Sequence, residues 1–262
     1  MPSSADDQKA HVRERFSQFA HDYVISEIHS QGADLDRVLE VAAPRTDWLA
    51  CDIATGGGHA ALKIAPHVRR MISTDFALPM LASAREFILS KNATNVDFVP
   101  ADAEAMPFAD NVFDLVTCRI APHHFPNVFR FVQEAARILK PGGRFVVQDH
   151  MQPEDKKAAV YTDAFERLRD PSHNRALSES DWRSDFLASS LTVEHVEKLE
   201  RRAKLVAWAE RQGCTPEVIE HLQILLVQAP QAVAEYIQPS HAGTPDAEFN
   251  HVHILISGVK AG

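Results

Sequence analysis

Three aspartates stand at comparable places in this sequence, at or just after the end of a short apolar stretch. Asp52 lies within "LACDI", Asp75 ends "MISTD", and Asp102 comes two residues after "VDFVP". Carboxylates grouped in this way attract a ligand that carries positive charge and repel a pyrophosphate. A carboxylate at the end of a second strand can also accept both hydroxyls of a ribose. The three acids therefore indicate a site for a cationic nucleoside that lacks a phosphate.

A run of three glycines follows the first of these aspartates, in "CDIATGGGHAAL" from Cys51 to Leu62. The stretch Gly56–Ala61 also matches the GxGxxA pattern of dinucleotide sites. In open α/β sheets ligands bind in the crevice beyond the carboxyl ends of the strands. Taken alone, the glycines leave three alternatives: a dinucleotide, a sulfonium nucleoside such as S-adenosylmethionine, or a tight turn without a ligand.

The elements that must position these residues alternate between strand and helix. Strands spaced by helices predict right-handed crossovers and an α/β, Rossmann-like, doubly wound and mainly parallel sheet. With two strands near the carboxyl terminus, the sheet has seven. The predicted strands are Trp48–Ile53, Met71–Asp75, Val96–Val99, Phe113–Cys118, Arg144–Gln148, Leu191–Val196 and His251–Ser257.

The chain divides into three parts on this prediction. Residues 1–45 form an N-terminal helical segment, with Val12, Phe16, Phe19 and Tyr23 at helical spacing. Residues 46–152 form the Rossmann-like core. Residues 153–262 complete the same domain with the last two strands and a helical cap over 153–190 and 203–245. The cap is the element that we expect to shape a substrate pocket.

Four stretches carry a resemblance to a known family. They are "LACDIATGGGHAAL", "MISTDFALPMLASAR", "VDFVPADAEAMPFADNVFDLVTCRIAPHHF" and "EAARILKPGGRFVVQDH", and together they cover about residues 47–150. In this order they resemble the class I S-adenosylmethionine-dependent methyltransferases, of the ubiquinone/menaquinone C-methyltransferase-like (methyltransferase type 11) subgroup. The resemblance implies S-adenosylmethionine as methyl donor, S-adenosylhomocysteine as product and a small-molecule acceptor. It also implies that the N-terminal segment folds over the donor.

The resemblance also implies roles for individual residues. The methionine part of the donor would lie at the glycine loop, the ribose at the second strand and the adenine after the third. Ala54 departs from the pattern, because the family often has glycine there. The implied donor-binding residues are Asp52, Ala54, Gly56, Gly58, Asp75, Phe76, Met80, Asp102, Ala103 and Arg119.

Candidate catalytic residues follow the fourth and fifth strands. Methyl transfer from a sulfonium needs a base only if the acceptor must lose a proton. Histidine suits that role because it titrates near neutral pH, and carboxylates are further candidates. The candidates are His123, His124, Asp149 and His150.

Substrate-binding candidates lie in "LRDPSHNRALSESDW" and in the N-terminal segment. Arg169 and His173 could hold an acceptor. By the family resemblance Tyr23, Ser26 and His29 of the N-terminal segment could touch the cofactor, and Tyr23 is also a substrate candidate. The alternatives are a loop capped by Asp170 and Ser172, and a helix that only packs on the sheet.

No metal site is predicted. His251 and His253 alternate on the last strand and so share one face, but no third ligand is evident in the sequence. We interpret that face as surface or interface. The three cysteines form no CxxC unit, which disfavours a zinc site or a disulfide framework.

Charge and composition narrow the classes of partner. The formal net charge is −9, which disfavours binding to nucleic acid. The basic run Arg201, Arg202 and Lys204 is interpreted as a solvated helix end. Neither a signal peptide nor a membrane span is predicted, so the expected location is cytoplasmic, as a monomer or homodimer. Two alternatives stay open: an NAD(P)-binding oxidoreductase and a non-catalytic cofactor-binding protein.

Overall fold

A seven-stranded sheet forms the centre of the computed structural model, which describes residues 4–18 and 33–262. The strand order is β3-β2-β1-β4-β5-β7-β6. β1 to β5 are parallel to one another, and β7 is antiparallel to both β5 and β6. The strands are β1 Leu49–Ile53, β2 Arg70–Asp75, β3 Val96–Pro100, β4 Phe113–Arg119, β5 Leu139–His150, β6 Leu191–Lys204 and β7 Glu248–Lys260. This architecture confirms the predicted Rossmann-like fold.

Helices cover both faces of the sheet and one of its edges. Within the described residues they are α1 Ala5–Gln18, α2 Ala33–Ala42, α3 His59–Ile64, α4 Leu78–Ser90, α5 Val128–Ile138, α6 Lys156–Arg169, α7 Glu179–Ala188, α8 Leu205–Glu210, α9 Pro216–Val227 and α10 Gln231–Ile237. Short 3₁₀ turns occur at Ala65–His67 and Pro122–His124. None of the helices in these ranges is long and apolar enough to cross a membrane.

Side chains of β5 alternate between two hydrophobic cores. Phe145 and Val147 pack in a core with Phe131 of α5, whereas Val146 packs on the opposite face with Leu115 of β4. A strand that is buried on both faces is typical of a parallel sheet between two helical layers. Because helices cover both faces of these strands, a ligand site can form at the ends of the strands.

β1 lies at the point where the strand order reverses, because it pairs with β2 on one side and with β4 on the other. Helices that follow neighbouring strands depart here to opposite faces, which leaves a crevice beyond the carboxyl ends of the strands. β7 runs against β5, so the beginning of β7 lies at this same edge, and His253 pairs with His150.

The helical cap sits over that edge. Three of its helices, α8 to α10, connect the end of β6 to the beginning of β7, and both of these ends lie at the crevice. Phe165 of α6 and Trp208 of α8 pack with Phe249 at the beginning of β7. The cap therefore has a small hydrophobic core of its own, anchored on the antiparallel strands.

The prediction for the basic run was wrong. Arg201, Arg202 and Lys204 belong to β6, which pairs with β7 over its whole length and has no strand on its other side. Edge strands commonly carry charged side chains, which discourage further strand pairing. In "LTVEHVEKLERRAK" the alternation of less and more exposed residues continues past Val196, where most residues are charged. The sequence therefore did not show where the strand ends.

Candidate active site

A cavity of about 710 Å³ opens at the carboxyl ends of the parallel strands. That volume is in the range of enzyme sites for small molecules. The predicted residues that line it are Asp52, Ala54, Gly56, Asp75, Phe76, Met80, Asp102, Ala103, Arg119, His123, His124, His150, Arg169 and His173. Gly58 and Asp149 are not among the lining residues. Tyr23, Ser26 and His29 lie outside the described residues.

The cavity has two chemically different ends. The end near β1, β2 and β3, lined by the glycine loop and by Asp52, Asp75 and Asp102, is called the acidic half below. The other end, near β5, β7 and the cap, is lined by His123, His150, His173, His251 and His253 and is called the histidine half.

The glycine loop turns sharply because three of its residues adopt positive φ angles. These are 52° at Ala54, 54° at Gly56 and 83° at Gly58. A Cβ added at Gly56 would meet nothing within 4 Å, so this backbone borders open space where a ligand can approach. A Cβ at Gly58 would come within 2.8 Å of Ile88 Cδ1, so Gly58 permits close packing of α3 on α4.

Asp52 is held rigidly at the floor of the acidic half. Its side chain accepts hydrogen bonds from Thr55 Oγ1 at 2.7 Å and Thr117 Oγ1 at 2.6 Å, and only 1% of the residue is exposed. Burial raises the pKa of Asp52 to about 6, although the two hydroxyls and Arg119 act in the opposite direction. Its negative charge is thus costly without a cationic partner, and a bound cation would offset that cost.

Asp75 joins the glycine loop to the beginning of α4. Its carboxylate accepts hydrogen bonds from the backbone N–H groups of Gly56 at 3.0 Å and Ala77 at 2.9 Å. Burial raises the pKa of Asp75 to about 6 as well. The carboxylate is therefore fixed in orientation, and the remaining lone pairs of its two oxygens can accept hydrogen bonds from adjacent hydroxyls.

The α1 helix closes the acidic half from above. Lys9 Nζ lies 2.7 Å from Asp102 Oδ2 and 2.8 Å from Glu104 Oε2, and the Arg13 guanidinium lies 4.0 Å from the centroid of the Phe76 ring. Phe16 of the same helix lines the cavity and packs edge-on against His124. The N-terminal helix thus touches both halves of the site.

Arg119 and Gln148 form a polar bridge beneath the cavity. Arg119 donates to Asp34 Oδ2 at 2.9 Å and to Gln148 Oε1 at 2.8 Å, and Gln148 donates to the same Asp34 oxygen. Arg201 at the end of β6 also pairs with Asp34. Burial lowers the pKa of Arg119 to about 10, so the guanidinium stays cationic at neutral pH. Asp34 therefore ties β4 and β5 to the edge strand.

His123 and Asp149 form a buried dyad at the boundary between the two halves. His123 Nδ1 lies 2.6 Å from Asp149 Oδ1, and the His123 backbone N–H donates to Asp149 Oδ2 at 2.8 Å. A carboxylate on one ring nitrogen fixes the tautomer and leaves the other nitrogen as a proton acceptor. Asp149 lies behind the cavity wall and orients the ring. Burial and neighbouring imidazoles hold the pKa of His123 well below its usual range, and burial raises the pKa of Asp149 well above its own, so burial disfavours charge on both partners.

The interpretation of His251 and His253 as a surface or interface pair was wrong. His253 is 3% exposed, and both residues line the cavity. The third group that the sequence did not reveal is His150, whose ring centroid lies 4.5 Å from that of His251 and 4.9 Å from that of His253. The pairing of β5 with β7 brings these histidines together across about a hundred residues of chain.

The loop after α6 combines both of its predicted roles. Asp170 accepts hydrogen bonds from the backbone N–H and the hydroxyl of Ser172, so the loop is capped. Arg169 and His173 nevertheless line the cavity, and the Arg169 guanidinium lies 4.2 Å from the centroid of the Trp208 ring. His173 Nε2 lies 2.7 Å from Asp163 Oδ1.

Several lining residues were not recognised from the sequence. Glu166 and Trp208 lie in cap helices, and Lys9 lies in the polar part of α1. Nothing in the sequence marks Lys9 as a cavity residue, because a polar residue in an N-terminal helix is most often solvated. For Glu166 and Trp208 the only signal was the prediction that the cap shapes the pocket.

Comparison with known proteins agrees with this fold. The family profile described as "Methyltransferase domain" matches residues 51–147. The chain is 36% identical to the uncharacterized methyltransferase YcgJ of Bacillus subtilis over 250 residues, which are 94% of this chain and 97% of the relative. It is also 34% identical over 160 residues to the demethylmenaquinone methyltransferase of Thermus thermophilus, covering 58% of this chain and 72% of that protein.

Solved structures give the same result. The crystal structure of Bacillus subtilis YcgJ superposes with a TM-score of 0.83 at 33% identity, covering 87% of this chain and 98% of that one. A Bacillus halodurans protein provisionally named a methyltransferase superposes with a TM-score of 0.84, also at 33% identity, over 88% of this chain and all of the other. The matches extend through the cap and favour the methyltransferase over the oxidoreductase alternative. The chain therefore belongs to the class I S-adenosylmethionine-dependent methyltransferases and is a methyltransferase enzyme.

Proposed function

We propose that this enzyme binds S-adenosylmethionine in the acidic half and methylates a small-molecule acceptor held in the histidine half. The observation that carries the proposal is the dyad of His123 and Asp149, which lies where the two halves meet. It supplies a proton acceptor at the point where the acceptor atom must approach the methyl donor. S-Adenosylhomocysteine is the proposed product.

The acidic half fits the donor in charge and in space. Asp52 is a buried and Asp75 a partly buried carboxylate, and a nearby cation would stabilise the ionised form of each. Gly56 leaves open space beside them. We assign the amino acid part of the donor to Asp52, Ala54 and Gly56, and the ribose to Asp75 with Phe76 and Met80 beside it. The adenine is assigned to Asp102 and Ala103. Gly58 supports the loop from behind.

Lys9 must move for the adenine assignment to hold. The Lys9 ammonium already forms an ion pair with Asp102 Oδ2, and Asp102 Oδ1 accepts a hydrogen bond from the backbone N–H of Glu104. Glu104 offers the same ammonium a second carboxylate at 2.8 Å. We infer that Lys9 pairs with Glu104 alone when an adenine amine takes its place on Asp102.

When bound, S-adenosylmethionine supplies a methyl group on positively charged sulfur. The protein then contributes alignment, worth roughly 7–11 kcal/mol in favourable intramolecular cases. His123 accepts the proton that an O–H, N–H, S–H or activated C–H acceptor releases, and Asp149 stabilises the imidazolium that forms. His124, His173 and Arg169 line the pocket on the acceptor's side. The cap and α1 exclude water from it.

A thermal-shift comparison tests donor binding. A ligand that binds only the folded state raises the melting temperature by mass action. We expect S-adenosylhomocysteine to raise it and NAD or NADP to leave it unchanged. Asp75→Ala should remove the shift, whereas Asp47→Ala, a change at an exposed aspartate, should keep it. A shift with NAD alone would overturn the donor assignment.

A second experiment tests turnover. The enzyme is incubated with labelled donor and a metabolite extract, and small molecules and macromolecules are separated before counting. Label in the small-molecule fraction supports the proposal. Label only in protein or RNA would refute the small-molecule acceptor.

We further propose that the enzyme works in the cytoplasm. The three cysteines of the chain are free, and Cys51 and Cys118 are buried in the sheet. Reduced thiols of this kind are typical of a reducing compartment.

A further inference from the structure

The histidine half holds more imidazoles than a single proton acceptor requires. His150 ends β5 and pairs in register with His253 of β7, and His251 lies two residues earlier on the same face of β7. One ring nitrogen from each of the three lies within 4.8 Å of the others. Neutral imidazole is the commonest protein ligand for divalent transition metals.

Ring orientation distinguishes this triad from a neighbouring one. A nitrogen lone pair lies in the plane of its ring, so rings that share an ion must not be stacked. His251 stands at a steep angle to both partners, 83° to His253 and 71° to His150, while His150 and His253 are tilted by 33° and are not stacked. The other candidate triad is His123, His150 and His173. Its rings are nearly parallel, with angles of 6°, 29° and 24°.

The spacing of the donor atoms suits a tetrahedral ion. His253 Nε2 lies 3.2 Å from His251 Nδ1. Two nitrogens bound to one tetrahedral ion at 2.0–2.1 Å are separated by roughly 3.3 Å. This pair, which forms a hydrogen bond here, therefore has the spacing that zinc coordination requires, and the His150 nitrogen lies within 4.8 Å of both.

Two further observations point to a ligand. The Nδ1 atom of His150 is buried without a hydrogen-bond partner in the described part of the chain, the residue is 7% exposed, and Glu166 Oε2 lies 4.0 Å from this nitrogen, beyond hydrogen-bond distance. Buried polar atoms are normally partnered. In addition, Glu166 Oε1 lies 3.0 Å from His251 Nε2. A carboxylate on the far nitrogen of a histidine is the usual support of a metal ligand, because it orients the ring.

We propose that His150, His251 and His253 bind one divalent transition-metal ion of the zinc class. Glu166 orients His251, and the remaining coordination position faces the cavity. An oxygen or sulfur atom of the acceptor would take that position. Coordination would lower the pKa of its proton and hold the acceptor beside His123.

Metal binding can be measured directly, without any acceptor. The full-length protein without a polyhistidine tag is dialysed against Zn²⁺ or Co²⁺, and bound metal is counted by elemental analysis. We expect one ion per chain and, for Co²⁺, the visible absorption bands of a tetrahedral site. His251→Gln should weaken binding by about 100-fold or more. His221→Gln, at an exposed histidine of α9, is the matched control and should leave binding unchanged.

Two outcomes would overturn the assignment. If the wild-type protein binds no stoichiometric Zn²⁺ or Co²⁺, the histidines form a hydrogen-bonded chain only. If His123→Gln abolishes metal binding and His251→Gln does not, the ion belongs to the other triad. Each variant is also tested for its thermal shift with S-adenosylhomocysteine, which shows that it is folded. Because that measurement needs no metal, failure of the metal site and failure of donor binding are distinguishable.

Discussion

The acidic half and the histidine half share one cavity but are assembled in different ways. Asp52, Asp75 and Asp102 come from consecutive parallel strands, and each lies at or near the end of its strand. His123, His150 and His251 come instead from a turn, from β5 and from an antiparallel strand a hundred residues later. The acidic half follows from one local rule, that all parallel strands end on the same side of the sheet. The histidine half depends on the complete topology. Changes in one half should therefore leave the other largely intact.

The largest effect that would sharpen this division is expected at His123. His123→Gln removes the proposed proton acceptor, so the rate of label transfer should fall by about 10²–10⁴-fold. The affinity for S-adenosylhomocysteine, measured by calorimetry, should stay within about twofold of wild type. Asp149→Asn should reproduce the loss in rate, because it disturbs the orientation of the ring.

An equal loss of donor affinity in His123→Gln would break the division between the halves. His221→Gln again serves as the control. It should change neither the rate nor the affinity, since this histidine is exposed on α9.

A second, smaller effect is expected in the acidic half. The pKa of Asp52 is about 6 in the folded protein and ordinarily near 3.8, so the folded state holds more protons between those pH values. Its contribution to the free energy of unfolding therefore falls as pH rises from about 4 to about 6, by up to ~3 kcal/mol. Asp52→Asn should lack this loss. Relative to wild type it should be stabilised by about 1–3 kcal/mol at pH 7 and little changed at pH 4.

Urea unfolding of both proteins at the two pH values checks this expectation. The two proteins differ only at residue 52, so the difference between them isolates Asp52. If the free energy of unfolding changes with pH equally in both proteins, burial does not destabilise the ionised form of Asp52. The same variant should bind S-adenosylhomocysteine more weakly at pH 7, which would identify the strain as the cost of a functional carboxylate.

The smallest effect is expected at Ala54. Its φ angle of 52° costs an L-residue roughly 1–2 kcal/mol, whereas glycine adopts it freely. Glycine loses more entropy on folding, so Ala54→Gly should stabilise the protein by about 1 kcal/mol or less. Ala82→Gly, within α4, should destabilise it by about 1 kcal/mol. Denaturant unfolding measures both changes, and destabilisation by Ala54→Gly would contradict the strain argument.

The sequence predicted the acidic half well for a physical reason. Asp52 and Asp75 are tied to neighbouring strands by short loops, and the parallel βα repeat places all such strand ends at one edge. Knowing the strands was enough to know that the acids converge. The same reasoning found His123 and His150 as candidates at the ends of the fourth and fifth strands.

The histidine half was predicted only in pieces. His251 and His253 were recognised as sharing a face, yet nothing local shows that β7 runs against β5. That direction decides whether the beginning or the end of β7 meets the cavity. The contact of Arg201 with Asp34 could not be foreseen for the same reason, because the end of β6 reaches the cavity only when β6 and β7 are antiparallel. Long-range strand direction was the missing information.

The α1 helix connects the acidic half to the cap through ion pairs at its two ends. Lys9 holds Asp102 and Glu104 on one side, while Arg15 Nε lies 3.1 Å from Asp170 on the cap. A single rigid helix cannot swing away from the donor without also releasing the cap loop. We therefore expect exchange of the spent donor and exchange of the methylated product to be gated by the same motion. Turnover would then include one opening step that both exchanges share.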